Sequence, residues 1–576
     1  QDVLMKVGQV TEKLTVEAQA ELITTRTATA GQLIDQRRVV DLPLNGRSAQ
    51  SLLYLAPGTV DLTSRYCNVD CHGGVYPSSA ESAVNGSGPG QVNYQLDGTS
   101  HNDTYLNINQ PFPNPDSIQE FNLQSSSFTA EYGNAAGGVV NIVTKSGTNE
   151  VHGTLFHFLR NGAMNARNFF APKHDELKRN QFGGSIGGPI LKDKLFYFGT
   201  YQGTDIRSTA EGRIQFVPTA AQRQGDFSAV SRQLNDPVSR QPFPGNRIPA
   251  SRLSPVSAFV LKGIPLPNGP DGQLTFPGAP LRETEQQYMG KVDFNSGRSQ
   301  TNARYFFTDF ERPPALTNGN LLVIRSGNVV RVQNISVNNS FTVSPVFLLN
   351  TSIGWSSQTG GSRGSAPFGF AEAGAKIVGP ESIAALNSPP HLFTTVTGGF
   401  TIASGHDGDF DRGDLTLREV VTKIAGTHEL HFGGEAVRLI NPISNTTQMG
   451  SRTTFNGQLS GNGLSDFVLG RASLLTQGGG EFKDLVGVKW GFFFQDNWRM
   501  TQRLSLNLGV RWDPYLPYYD RQGRVVCFNG NATSRSQRFP NAPLGLLYGG
   551  DNADPGCPVG GSVADWGNLA PRIGFA

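Results

Sequence analysis

Four groups of residues have types and spacing that could do chemistry. Cys67 and Cys71 with His72 offer zinc ligands, but they lack a clear fourth ligand and a second pair at matching spacing. His428-Glu429-Leu430-His431 sets its imidazoles three apart on an expected strand. Zinc proteases set theirs four apart on one face of a helix. Asp407, Asp409, Asp411 and Asp414 have the spacing of a calcium loop, yet Arg412 stands where that loop needs glycine and Arg418 where it needs the bidentate glutamate. Gly86-Ser87-Gly88-Pro89-Gly90 lacks the following lysine and helix of a phosphate cradle. Nothing assembles a nucleophile, a base and an orienting group. The expectation is a protein without catalysis, without a cofactor and without a bound metal.

The cysteines have a second reading. Cys67 with Cys71, and Cys527 with Cys557, form two local groups that suit disulfides in an oxidising compartment. A net charge of +2 over 576 residues, with no Lys/Arg cluster, predicts no nucleic-acid partner. Charge is low at 16%, against 69 glycines and 10% aromatics, which suits strands, turns and rings and argues against disorder. No run reaches the ~18 apolar residues of a membrane-spanning helix, so any crossing is made by strands.

The elements that position these residues fall into two textures. Residues 3–19 alternate weakly and read as one or two strands. Residues 20–149 read as a small α/β domain. Helical spacing is expected over Gln32–Val40, Ser48–Leu55 and Ile118–Phe121, the last with Asp116 and Ser117 as N-cap candidates. Residues 61–90 read as a polar loop, with strands at Gln91–Leu96 and Val139–Val143. Gly137 and Gly138 beside that last strand fit either a bulge or a tight turn.

From residue 150 onward the period is two, in strands of about ten residues, the length that crosses a bilayer at a tilt. Leu504, Leu506, Leu508, Val510 and Trp512 interleave with Ser505, Asn507, Gly509, Arg511 and Asp513. Tyr288–Phe294 and Phe347–Trp355 behave alike. Further strands are expected at 151–160, 181–188, 194–204, 302–310, 332–341, 415–424, 428–437 and 487–498. Short turns join some pairs, and long irregular segments (205–285, 357–414, 438–485, 514–570) separate others. A soluble β-sandwich also alternates; the long loops and terminal aromatics favour a membrane barrel.

Several ordered segments carry a resemblance to a family. Asp41-Leu42-Pro43-Leu44-Asn45-Gly46-Arg47, the turn Leu96-Asp97-Gly98, Glu131-Tyr132-Gly133, Gly137-Gly138 and Thr144–Thr148 resemble the plug of TonB-dependent outer-membrane receptors of the Oar-like group. His152–Phe170, His428–Glu435, Gly491–Arg511 and Ala570–Ala576 are similar to its barrel strands. The resemblance implies a mainly β fold: a small α/β plug domain (20–149) followed by a large antiparallel transmembrane β-barrel with long extracellular loops (150–576), incomplete at the C-terminus. About a dozen strands are countable where the group is expected to have 22. Residues 1–19 would be the end of a carboxypeptidase-regulatory-like β-domain or a TonB-box segment. Glu12, Lys13, Leu14, Thr15 and Val16 have the place and texture of that box; the competing reading is the last strand of the upstream domain.

The function this implies is uptake of a bulky solute (siderophore, glycan or peptide) across the outer membrane of a Gram-negative-type bacterium. Its partners would be the TonB-ExbB-ExbD energising complex, outer-membrane lipid and an extracellular substrate. The alternative is a surface receptor or envelope-organising barrel that binds a macromolecule without importing it. Loop composition alone chooses no substrate.

Overall fold

A computed structural model describes residues 30–62, 76–79, 81–126, 128–134, 136–167, 169, 174–209, 213–376, 391–550 and 557–576. The Cys67, Cys71 and His72 group and the Glu12–Val16 segment lie outside these residues.

Two sheets organise the chain. The inner domain holds five strands, β1 (Ala30–Asp35), β2 (Val92–Leu96), β3 (Thr99–Ser100), β4 (Ile118–Ser126) and β5 (Gly138–Thr144), in the order β1-β4-β5-β2-β3. β2 and β5 run parallel and the other pairs antiparallel. Two expectations fail here. The helix over Gln32–Val40 is only α1 (Gln36–Asp41), because residues 31–35 pair with β4; Asp35 caps α1 by accepting from the Arg38 amide at 2.9 Å. Ile118–Phe121 is strand rather than helix: Pro115–Ser117 makes one 3-10 turn, after which Ile118, Phe121 and Leu123 enter the core between β1 and β5. Tertiary pairing overrides local propensity at both places. The 61–90 segment also contains a strand, Ser82–Val84, paired with Thr59–Asp61.

The second sheet is a wall of fourteen strands. Twelve form an antiparallel meander: β6 (His152–Asn161), β7 (Lys178–Leu191), β8 (Leu195–Thr209), β9 (Pro280–Ser296), β10 (Ser299–Arg312), β11 (Gly327–Ser344), β12 (Phe347–Arg363), β13 (Arg412–Ala425), β14 (His428–Asn445), β15 (Glu481–Arg499), β16 (Ser505–Trp512) and β17 (Leu569–Phe575). Gly408–Phe410 and Tyr519–Asp520 add short pairings. Among the described residues β6 and β17 are the two edges. Tight turns at 192–194, 297–298, 345–346, 426–427 and 500–504 lie at one end, and all the long connections lie at the other.

Alternation sorts the side chains of the wall. Val292, Phe294, Ile335, Val337, Ile353, Trp355, Leu415, Leu417, Leu508 and Val510 are exposed on the convex face. Rings line up across strands there: Tyr201, Tyr288 and Phe307 at 4.9 and 5.9 Å, and Trp490, Phe492, Trp512 and Trp566 at 5.8–6.3 Å. These are the aromatic rows of a lipid boundary. The concave positions between them hold Gln287, Lys291, Arg304, Asn334, Ser356, Arg418, Gln495 and Arg511.

The strands from β7 to β15 run 14–19 residues, well past the expected ten. Beyond the aromatic row the outward positions turn polar, as in Gln286, Thr284 and Arg282 of β9 or Gln333 and Arg331 of β11. Alternation vanishes while the hydrogen-bond ladder continues.

The connections expected to be irregular are in large part folded. Three of them, with the shorter β10–β11 connection, build a cap with its own core. Phe227, Leu234, Phe243, Val260 and Leu274 come from the β8–β9 connection, and Leu321–Val323 from β10–β11. Leu392, Val396, Phe400 and Ile402 come from β12–β13, and Phe455 and Phe467 from β14–β15. A four-stranded sheet crosses between the last two, with Phe393–Val396 parallel to Arg452–Phe455. The β8–β9 connection supplies the largest share, from Val217 to Phe276, and the other three connections complete the core. In the last connection Cys527 and Cys557 are joined by a disulfide, with Cα atoms 5.6 Å apart.

The convex face predicts a membrane-depth effect. Ile353→Arg, in the middle of that face, should cost about 2–4 kcal/mol of folding stability in bilayers. Denaturant titration of the protein refolded into liposomes, read by heat-modifiable migration, measures it. A change near zero would mean that this face does not meet lipid.

Candidate functional site: the seam between inner domain and wall

The inner domain sits against the concave face, and among the described residues strands β6–β13 and β15–β17 each hydrogen-bond or ion-pair with it. At its centre is the turn between β2 and β3. Asp97 and Gly98 both take positive φ (49° and 77°), the two-residue turn that a hairpin of this hand requires. Leu96 is fully buried in the inner core. The turn aims the Asp97 carboxylate at both domains. It accepts from the Thr144 amide and hydroxyl of β5, each at 2.8 Å. Arg304 Nε of β10 lies 2.7 Å from its Oδ2, off the hydrogen-bond direction, and Lys291 Nζ of β9 lies 4.0 Å from Oδ1. Arg304 also donates to Asn334 Oδ1 at 2.6 Å, and Lys291 to the Thr144 carbonyl at 3.1 Å. One carboxylate thus ties two inner strands to two wall strands.

A second contact joins Asp103 to Arg412 of β13; both are almost fully buried. Gln358 of β12 donates to the same carboxylate at 3.1 Å, and the Tyr105 and Leu106 amides hold its other oxygen at 2.9 and 2.8 Å. A third gathers Glu131-Tyr132-Gly133. Glu131 pairs with Arg418 at 2.5 Å, and the Arg418 guanidinium lies 5.4 Å from the Tyr132 ring. Arg511 of β16 donates to the Glu131 carbonyl at 3.0 Å and pairs with Glu435 and Asp513. A Cβ at position 133 would stand 2.0 Å from Arg511 Nε, so glycine is what lets the arginine reach this backbone. Arg572 of β17 donates to the carbonyls of Phe128 and Tyr132, both at 2.9 Å, and to that of Thr129. Gly137 and Gly138 stand at the start of β5, away from these contacts; the Gly137 amide donates to the Gln91 carbonyl at 2.9 Å.

Near the other end Arg47, also at positive φ, pairs with Asp116 and donates to Gln202 of β8 at 3.3 Å. Its guanidinium lies 4.3 and 4.5 Å from the rings of Phe156 and Phe158 on β6. Sequence reasoning assigned no role to Arg47, Lys291, Arg304 or Arg572. It met Arg412 and Arg418 only as residues that spoil a calcium loop. The usable signal was a cation on the polar phase of an alternating strand.

The remaining chemical candidates separate in space. Asp407 accepts from the Gly364 amide at 2.7 Å, Asp409 pairs with Arg363 at 2.7 Å, and Asp414 accepts from Thr416 at 3.1 Å. Each of the three turns to a partner of its own. His428 bonds Asp496 at 2.8 Å and stacks on Trp498, while His431 meets Thr422 at 3.1 Å. Among the described residues no group of three or more His, Cys, Asp or Glu could hold a metal.

Two cavities open from the seam. One of about 940 Å³ lies between the upper half of β15, the 513–526 segment and Asn134 of the inner domain. A smaller one, about 50 Å³, lies between the β2–β3 region and strands β13–β15. Asn134 and Lys489 line both.

The family model described as "Outer membrane beta barrel domain" matches residues 143–576. The chain belongs to the outer-membrane β-barrel family. The match begins inside β5 and takes in the whole wall, so the convex aromatic rows face outer-membrane lipid. The TonB-dependent transporter Oar of Myxococcus xanthus is 32% identical over 160 residues, covering 26% of this chain and 14% of the relative. A probable TonB-dependent siderophore receptor, PirA of Acinetobacter baumannii, is 34% identical over 113 residues, covering 17% and 13%. Among solved structures, the outer-membrane transporter YddB of Escherichia coli gives a TM-score of 0.48 at 14% identity, covering 85% of this chain and 56% of that one. A mutant ferric enterobactin receptor of Pseudomonas aeruginosa gives 0.48 at 12%, covering 85% and 58%. The chain therefore spans well under two thirds of each of these proteins.

Two outcomes follow from the seam. Asp97→Ala strands Arg304 without its carboxylate, and should cost about 3–5 kcal/mol. Adding Arg304→Met should recover much of that. Hydrogen exchange of inner-domain amides measures both, and equal protection in the single and double variants would remove Asp97 from this role. The second concerns His101, fully buried in the inner domain, with Nε2 2.9 Å from the Pro111 carbonyl. Burial lowers its pKa from 6.5 to about 3. The neutral ring is favoured when folded, so its contribution is full above pH 6.5 and is lost as pH falls toward 3. At pH 5 the deficit is about 2 kcal/mol. Inner-domain protection, corrected for intrinsic exchange, should fall between pH 7 and 5, and His101→Gln should flatten that dependence.

Proposed function

We propose that this chain is the plug and part of the barrel of a TonB-dependent outer-membrane transporter, taking up a bulky solute with energy relayed by the TonB-ExbB-ExbD complex. The observation that carries this reading is the seam. A folded domain fills the hollow of an outer-membrane wall and is held there by ion pairs and amide contacts, with few apolar ones. Such contacts exchange for water when the domain moves, whereas a continuous apolar interface would hold it in place. In this reading residues 20–149 are the plug and 150–576 the barrel. Glu12–Val16 is the candidate strand for TonB, since strand addition needs an extended segment ahead of the folded part. The solute enters past the cap and meets the plug at the cavity beside Asn134. Similarity to the Oar transporter and the PirA receptor supports the same class.

The cap favours a second reading. A core drawn from four connections makes a preformed outer surface, which suits a receptor that binds a macromolecule without importing it.

Locking the plug separates the two. A Cβ at Gly98 would lie 3.7 Å from Ser352 Oγ of β12, within reach of a disulfide. Gly98→Cys with Ser352→Cys should stop uptake under oxidising conditions, restore it on reduction, and leave surface binding unchanged. Uptake should also vanish in cells lacking TonB. Transport that continues through a locked plug, or without TonB, would overturn the importer reading.

A further inference from the structure

The larger cavity has a chemistry that singles out one ligand class. We infer that it takes a neutral, hydroxyl-rich ligand, an oligosaccharide, rather than a multiply charged chelate; this rests on reading the cavity as the solute site of the proposed importer. Three observations carry it.

The first is charge balance. Each carboxylate lining the two cavities is already paired: Glu481 with Lys483 at 2.5 Å, Asp520 with Arg524 at 3.0 Å, Asp513 and Glu435 with Arg511, and Asp103 with Arg412. The lining cation outside these pairs, Lys489, faces the carboxylates of Asp414 and Glu435. No unbalanced cluster of cations remains among the described lining residues to neutralise a ligand with several negative charges. Desolvating such a ligand here would go uncompensated.

The second is the floor. On the plug side the Asn134 carboxamide lines the larger cavity, and Gln95 and Asn107 line the smaller one that shares Asn134 and Lys489 with it. Gln95 is 5% exposed, and its Oε1 has no hydrogen-bond partner. A buried carbonyl oxygen left open beside a cavity of about 50 Å³ asks for one small donor, and a single hydroxyl supplies it. Carboxamides both donate and accept without charge, as sugar hydroxyls do.

The third is the wall of the cavity. Tyr515 and Tyr518 line it beside Asn134. Rings with a polar edge give flat apolar surface next to hydrogen-bonding groups, the pattern that a sugar presents in reverse with its C–H faces and hydroxyl rims. The volume, about 940 Å³, is large enough for a ligand of several rings.

The test uses the detergent-solubilised chain against an array of neutral oligosaccharides, with a ferric catecholate chelate as the charged probe, followed by calorimetry at low and high salt. At least one neutral oligosaccharide should bind, with an affinity that salt leaves unchanged. Tyr518→Ala and Asn134→Ala should each weaken it by about tenfold, while both variants keep the heat-modifiable migration of the parent. If the chelate binds instead, in a salt-dependent manner and sensitive to Tyr518→Ala, the ligand class is overturned and the site stands. If an oligosaccharide binds but ignores both substitutions, the site is overturned. Binding to no member of the array overturns the inference outright. Binding as expected, with uptake indifferent to TonB, sinks the importer reading and leaves the ligand class intact.

Discussion

Everything in this molecule depends on how a charged group can sit between two protein layers inside a membrane wall. Arg304 is fully buried on the concave face, and its partner Asp97 is 5% exposed. Neither could be there alone, since an isolated buried charge costs several kcal/mol. The pair exists because a hairpin turn with positive φ at both residues places the carboxylate at one exact height along β10. Thr144 and Lys291 then fix that height from two further strands. The inner domain is registered against the wall as a key is, by where its turns fall.

The same constraint explains the division of labour along each wall strand. A wall that faces lipid on one side and a folded domain on the other must alternate apolar and polar residues, and it must satisfy every polar group. The seam does so with residues that have several donors. Arginine recurs at Arg304, Arg412, Arg418, Arg511 and Arg572 because one planar guanidinium can reach a carboxylate and several backbone carbonyls together. Arg511 and Arg572 show it most fully, bonding the 128–132 backbone. Gly133 makes that approach sterically open, which gives Glu131-Tyr132-Gly133 a physical reason to be a motif.

Much of this was legible in the sequence, though unevenly. Period-two alternation located eleven of the twelve meander strands, because lipid on one face and a polar domain on the other imprint each strand independently; β17 was carried by the resemblance of Ala570–Ala576. The upper halves of the strands were missed where outward residues such as Gln286 and Arg331 turn polar and the contrast vanishes. The cap was missed for the opposite reason. Phe227 and Phe400 look like single apolar residues in loops, and Leu321–Ile324 and Phe467–Leu469 like short apolar runs, until four connections meet. Within the seam, Asp97, Gly98 and Glu131 were visible as a turn and a motif. Their wall partners were invisible, since sequence separations of some 200–400 residues leave no local mark. The helix expected at Ile118–Phe121 was displaced by pairing with β1 and β5.

Buried ion pairs contribute little net stability and are costly to break by losing one partner. Under the proposed reading that property is what a movable plug needs. If Asp97, Asp103 and Glu131 leave their arginines together, both members of each pair pass from protein to water, and the desolvation cost of bringing them together is recovered. An apolar seam of the same area would return nothing on separation, at about 25 cal/mol for each Å² re-exposed. The fully apolar packing is kept elsewhere: inside the inner domain, around Val39, Leu52, Tyr94 and Phe121, and inside the cap. The three wall side chains that join the inner core, Phe198, Met289 and Phe306, lie on the adjacent strands β8, β9 and β10. Asp97 meets its two cations on β9 and β10 as well. The firmest attachment is therefore confined to one side of the wall, and the Glu131 and Arg572 contacts on the far side hold by polar bonds, with only a small apolar contact at Ala130. A pull that frees the far side first would open the seam next to Asn134, where the two cavities meet.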